Sequence, residues 1–126
     1  MSLPLNLKYA PTHEWCLKNA DGSFSVGITE FAQEALGDII FLELPQLGQT
    51  VFAKQPCAVV ESVKSASDIH SPITGEVIAI HDALISTPEE MNTDPYGSWL
   101  FIVQVADHFE ADALLDAKQY GALIGL

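Results

Sequence analysis

Apolar and polar positions alternate in short runs along most of the chain. The stretch "FSVGIT" (24–29) sets Phe24, Val26 and Ile28 against Ser25, Gly27 and Thr29, the two-residue period of a half-buried strand. "DIIFLELP" (38–45), "CAVVESV" (57–63), "GEVIAI" (75–80) and "WLFIVQV" (99–105) are equally short and rich in β-branched and aromatic side chains. Breaks containing Gly, Pro or Asn separate most of them. Strands of this length and spacing predict a mainly β protein, a sandwich or flattened barrel.

The helical period is scarcer. "TEFAQEAL" (29–36) places Phe31, Ala32, Ala35 and Leu36 towards one face, with Thr29 set to cap it and Gly37 to end it. "TPEE" (87–90) offers Thr at a cap, Pro at the first helical position and Glu to complete a capping box, enough for one or two turns. "DHFEADALLDAKQYGALIGL" (107–126) repeats that start with Asp107 and Glu110, then puts Phe109, Ala113, Leu114 and Ala117 on one stripe. A C-terminal helix over about 107–122 is expected there, packed against a β core of about 22–106. Two strand starts also echo each other, "GDIIFL" from Gly37 and "GEVIAI" from Gly75. Two similar halves closing on each other would leave the connection between them, which contains Lys64, at an exposed hairpin tip.

Composition narrows the class. The 126 residues, 48% of them apolar, suffice for a single domain with its own core. Five lysines and no arginine stand against seventeen acids, for a net charge of −12. That balance argues against nucleic acid and anionic membranes, which are bound through clustered Lys and Arg. It leans towards a monomer, steered to basic patches on partners or merely kept soluble. Cys16 and Cys57 lie far apart without a CxxC pair, which fits a reducing compartment. "MSLPLNLKYA" has no signal or transit pattern, and no apolar run reaches membrane-spanning length. The expected location is the cytoplasm of a bacterium, in preference to a mitochondrial matrix.

Catalytic patterns are missing. His13, His70, His81 and His108 share no ligand spacing, so no metal site is expected. Cys16 near His13 can be drawn as nucleophile and base, but its Trp-containing, strand-like surroundings suit a buried thiol. There is no G-x-S-x-G elbow, no phosphate-cradling glycine loop, and no spacing that singles out a catalytic pair of acids.

One lysine stands apart. Lys64 sits in "ESVKSASDIHSP" (61–72) among Ser62, Ser65, Ala66 and Ser67, with no large side chain beside it except Val63. A Schiff-base lysine needs burial or neighbouring cations to lower its pKa, and neither is present. An amine acylated by a separate enzyme needs a protruding turn, small neighbours and a rigid base, which the serines and the flanking Val59, Val60 and Ile69 can supply. The plain alternative is a solvated hairpin lysine.

Taken together, the blocks "KYAPTHEW" (8–15), "VGITEFAQEALGDIIFLELPQLG" (26–48), "ESVKSASDIHSPITGEV" (61–77), "NTDPYGSWL" (92–100) and "LLDAKQY" (114–120) resemble the H-protein family of the glycine cleavage system. The resemblance covers most of the chain in the family's order. Val63 and Ser65 separate it from biotin carriers, which place Met on both sides of the lysine, and from dehydrogenase lipoyl domains, which usually read "DKA". Ala35, the short "PYGSWL" and His81 depart from the family pattern, and all three are placed at the surface.

The resemblance implies a barrel-sandwich hybrid of two small sheets, carrying lipoic acid in amide linkage on Lys64. It implies a carrier and not an enzyme: glycine decarboxylase, a pyridoxal-phosphate enzyme, loads an aminomethyl group on the arm. A tetrahydrofolate-dependent aminomethyltransferase unloads it, and dihydrolipoyl dehydrogenase reoxidises the dithiol. A lipoate ligase or lipoyl transferase would recognise Glu61, Ser62, Val63 and Gly75 around the lysine. In the family the loaded arm folds into a cleft, for which Glu14, Asp68 and Thr12 are the candidates here; the alternative for Glu14 is an exposed acid beside a packed Trp15. A sibling role, relaying lipoate to other lipoyl-dependent complexes, needs the same modified lysine and stays open.

Overall fold

The alternating runs fold into two antiparallel sheets facing each other across a core. The computed structural model describes residues 1–126. Its first half contains β1 (Lys8–Tyr9), β2 (Glu14–Lys18), β3 (Phe24–Ile28), α1 (Glu30–Leu36), β4 (Ile39–Glu43), β5 (Thr50–Val51) and β6 (Pro56–Ser62). Its second half contains β7 (Ala66–His70), β8 (Gly75–Ile80), α2 (Asp82–Ser86), α3 (Glu90–Thr93), β9 (Phe101–Val105), α4 (Phe109–Asp112) and α5 (Ala117–Leu123). One sheet has the order β1-β2-β3-β9-β8-β5 and the other β4-β6-β7, so the strands remain in two layers and do not close into a barrel.

The register follows from which side chains need water excluded. Cys16 pairs with Val26 and Trp15 with Gly27 across β2 and β3, so alternate pairs face opposite sides of the sheet. Cys16, Phe24, Val26 and Ile28 join the core between the sheets. Trp15 faces the other way, into a smaller cluster with Leu7, Tyr9, Ala117 and Tyr120. This second cluster corrects one expectation: β3 is not half-buried but buried along its whole length. Its polar alternates are the reason, since they are small enough to be covered. A Cβ on Gly27 would lie 2.4 Å from the Trp15 ring.

The caps of α1 are those expected. Thr29 Oγ1 accepts from the Ala32 N–H at 3.2 Å, and Gly37 takes the left-handed conformation at φ +78°. Only Leu36 of its apolar face is buried, while Ala35 is exposed. At 87–90 the chain makes a turn first, and α3 begins at Glu90, with Thr87 Oγ1 donating to the Glu90 carboxylate at 3.0 Å.

The C-terminal segment is two short helices instead of one. Asp116 starts α5 as a cap with a reciprocal box: its side chain accepts from Gln119 N, and Gln119 accepts from Asp116 N. Just before it, Leu115 exchanges two 2.8 Å backbone hydrogen bonds with Tyr9, which pulls the chain out of helical geometry. Phe109, expected on a packed stripe, lies on α4 and is 79% exposed.

Candidate functional site

β6 and β7 form a hairpin, and Lys64 stands in its tip, exposed. One hydroxyl organises the turn. Ser62 Oγ accepts from the N–H of Lys64 at 3.3 Å and of Ser65 at 3.2 Å, and lies 3.3 Å from the Ser65 carbonyl to which it donates. The Ser62 N–H closes the ladder on the same carbonyl at 2.8 Å, and the Val63 N–H donates to Asp38 at 3.0 Å, tying the tip to the link before β4. The base is firm, because Val60 and Ile69 on the inner face of the hairpin belong to the core. Lys64 itself is in no ion pair. Its stem lies along Gly37, where a Cβ would come within 3.4 Å of Cε and 3.8 Å of Nζ.

Beside the tip opens a cleft of about 290 Å³, walled by α1, the 12–14 turn and the hairpin. Glu14 lies on its floor. Two residues apart on a strand, Glu14 and Cys16 share a face, and since Cys16 is in the core, Glu14 is held at the core's open end. It is 2% exposed, which settles against an exposed acid beside Trp15. Its carboxylate accepts from Thr12 Oγ1 and, at 3.0 Å, from the His70 N–H. Burial pushes the Glu14 carboxyl above its ordinary range, against the opposing pull of the Thr12 and His70 hydrogen bonds. Such a carboxylate is a place for a cation, since its charge is desolvated and only partly compensated.

The three cleft candidates, Glu14, Asp68 and Thr12, all line this one cleft. Asp68 pairs with Val59 on the exposed arm of the hairpin, and Ser67 with the core-facing Val60. Glu61 stands on the outer face of β6 between Phe41 and Ala66. Gly75 belongs to the other sheet: it opens β8 in the six-stranded sheet, where a Cβ would lie 2.2 Å from the Gln104 carbonyl. That close approach gives the glycine a packing reason of its own.

Further side chains brace the cleft. His13, at φ +78°, turns the chain so that Thr12 and Glu14 face the cleft. Its Nδ1 is 2.8 Å from the Tyr120 hydroxyl, which also bonds Thr29 at 2.8 Å, so α5 locks the 12–14 turn to the start of α1. Burial lowers His13's affinity for a proton. His13 is thus engaged away from Cys16, whose thiol is buried and pushed up to about 12, so the two do not form a nucleophile and base. His70 offers a metal-ligand reading alone in the sequence, and its place beside Glu14 leaves no local signal, the two lying 56 positions apart. No group of three His, Cys, Asp or Glu side chains converges to hold a metal ion.

The family model described as "Glycine cleavage H-protein" matches residues 7–125. The chain belongs to the glycine cleavage H-protein family. Among its relatives, the glycine cleavage system H protein of Shewanella sp. (strain ANA-3) is 57% identical over 98% of this chain and 96% of its own length. The corresponding protein of Enterobacter sp. (strain 638) is 53% identical over the same shares. The crystal structure of a glycine cleavage system H protein from Mycobacterium marinum superposes with a TM-score of 0.90 at 39% identity, covering 98% of this chain and 100% of that one. The family match takes in both the Lys64 hairpin and the cleft. No helix of this family member is long and apolar enough to cross a membrane.

Proposed function

We propose that the chain is a non-catalytic carrier of the glycine cleavage system, bearing lipoate in amide linkage on Lys64. The observation that carries this is an exposed, unpaired lysine amine on a firmly based hairpin, beside a cleft floored by a buried carboxylate, in a member of the H-protein family. The site fits the group: acylation removes a charge, and no ion pair depends on that charge. When bound, lipoate would supply a disulfide that opens as one sulfur takes up the aminomethyl group, and the dithiol left after unloading would be reoxidised to the disulfide.

The protein's own residues do the holding and presenting. Lys64 fixes the attachment point, and Ser62 keeps the tip closed so that a modifying enzyme meets one geometry. Glu61 and Val63 flank the lysine on the surface that such an enzyme, a lipoate ligase or a lipoyl transferase, must cover. Glu14, with Thr12 and Asp68, holds the cargo's ammonium by charge-assisted hydrogen bonds and keeps it from water. Successive partners would be glycine decarboxylase, the aminomethyltransferase and dihydrolipoyl dehydrogenase, in a bacterial cytoplasm. The net charge of −12 supports steering to basic docking surfaces, and a tethered arm raises the cargo's concentration at each one.

Incubation with lipoate, ATP and a lipoate ligase, followed by intact and peptide mass analysis, tests the attachment. A single lipoyl addition mapped to Lys64 and missing from Lys64→Arg is expected. A folded chain left unmodified by a ligase active on another acceptor overturns it.

A further inference from the structure

Asn92 heads the "NTDPYGSWL" block and has no part in the carrier role, yet its side chain meets the segment on which Lys64 rests. Its amide works as a fork from α3. Oδ1 accepts from the Ile39 N–H at 2.9 Å, while Nδ2 donates to the Gly37 carbonyl at 2.8 Å and to Gln33 Oε1 at 3.0 Å. A backbone N–H can only donate and a carbonyl can only accept. A side chain bridging the two must therefore offer both an oxygen and an N–H, as a carboxylate or an aliphatic chain cannot. One half-buried residue thus holds both ends of the link from Gly37 to Ile39.

That link bears on the lysine at each of its residues. Gly37 is the surface along which the Lys64 stem lies, 3.4 Å separating Cε from where a Cβ would be. The Asp38 carbonyl accepts from the Val63 N–H at 3.0 Å. Ile39 pairs with Ser62, whose hydroxyl organises the tip. The register of β4 on β6 shifts between Ile39 and Phe41, so no unbroken ladder fixes this end of β4 beside the tip. Asn92 supplies that restraint from α3. Gly37 also directly follows Leu36, which walls the cleft with Ala32 and Ala35, so a stem resting on Gly37 leaves the tip at the cleft's edge.

We propose that Asn92 is a positioning residue that clamps the 37–39 link and thereby sets where the Lys64 amine is presented. It acts through Gly37, Asp38 and Ile39, and touches the lysine nowhere itself. For a modifying enzyme the clamp keeps the presented conformation populated. Releasing it lowers that population, which raises the apparent KM in inverse proportion and leaves kcat unchanged. The effect on lipoylation rests on the carrier role proposed above; the effect on the lysine's resting place does not.

The first readout is a nuclear Overhauser contact between the Lys64 Hε and Gly37 Hα protons in the unmodified chain. It is expected in the wild type and in Gln33→Ala, which loses only the third of the amide's bonds. It should vanish in Asn92→Ala, and in Asn92→Asp, which keeps an acceptor for Ile39 but has no donor for Gly37. The second readout is lipoylation by a lipoate ligase. In Asn92→Ala the KM should rise about tenfold at unchanged kcat, the equivalent of about one hydrogen bond. Acetylation of Lys64 by a small activated ester, which reads no position, should keep its wild-type rate. A contact absent from the wild type, kept in Asn92→Asp, or lost equally in Gln33→Ala overturns the clamp. So does a wild-type KM in Asn92→Ala, or a loss carried by kcat. A wild-type chain that takes no lipoate overturns the carrier role instead, and the proton contact still decides the clamp.

Discussion

Removing the Ser62 hydroxyl isolates the contribution of the tip's geometry. In Ser62→Ala the N–H groups of Lys64 and Ser65 lose their acceptor and the Ser65 carbonyl loses one of two donors. The three contacts lie at 3.2–3.3 Å, the long end for hydrogen bonds, and each deserves a value near the lower bound of about 0.5 kcal/mol. Their sum is about 1–2 kcal/mol, or about 5- to 30-fold in the balance of closed against open tip. The ladder bond from Ser62 N to Ser65 O at 2.8 Å survives, so the hairpin stays paired and global stability should fall by no more than that sum. Two assays read the effect: amide hydrogen exchange at Lys64 and Ser65, and kcat/KM for ligase-catalysed lipoylation. Exchange should quicken and lipoylation slow by up to that factor, with Ser62→Thr, which keeps the hydroxyl, restoring much of both. Faster exchange with lipoylation at the wild-type rate would refute the claim that the enzyme reads a closed tip.

Other consequences follow from burial. Gly27→Ala drives a methyl to 2.4 Å from the buried Trp15 ring and threatens its 3.2 Å indole bond to Pro95; a loss of about 2–4 kcal/mol is expected from overpacking plus one hydrogen bond. Urea unfolding followed by tryptophan fluorescence measures it, and a loss under about 1 kcal/mol would show that β3 can move away from Trp15. Glu14, raised from 4.5 chiefly by burial, gives the fold stability that is complete below its unfolded value and lost as pH climbs through the folded one. Glu14→Gln does not titrate, so its stability relative to wild type should improve as pH rises from about 4.5. Urea midpoints across that range would contradict this if the difference stayed flat or ran the other way.

What could be read in the chain, and what could not, divides by distance along it. Thr29 and Gly37 announce α1 because caps act through neighbouring backbone groups. The small residues around Lys64 announce the hairpin tip for the same local reason. β7 is harder: Ser67 and Asp68 lie on opposite faces of a strand with little packed against it, so no alternation shows. β1 and β5 are two residues each, too short for any period. The break between α4 and α5 was hidden because Leu115's partner is Tyr9, at the other end of the chain. Glu14's burial had a faint signal, the core-seeking Cys16 two residues on, whereas His70's approach to it had none.

The hairpin tip has a consequence for how this protein can change. No residue from 62 to 66 adopts the left-handed backbone, which in this chain is confined to His13, Lys54 and four glycines elsewhere. The turn's shape is stored in one buried serine and in the strands behind it, and not in the residues on display. Positions 63 and 65 are consequently free to take almost any side chain without refolding the loop. Acceptor preference can drift, or be redesigned for a different lysine-modifying enzyme, one substitution at a time on an unchanging pedestal.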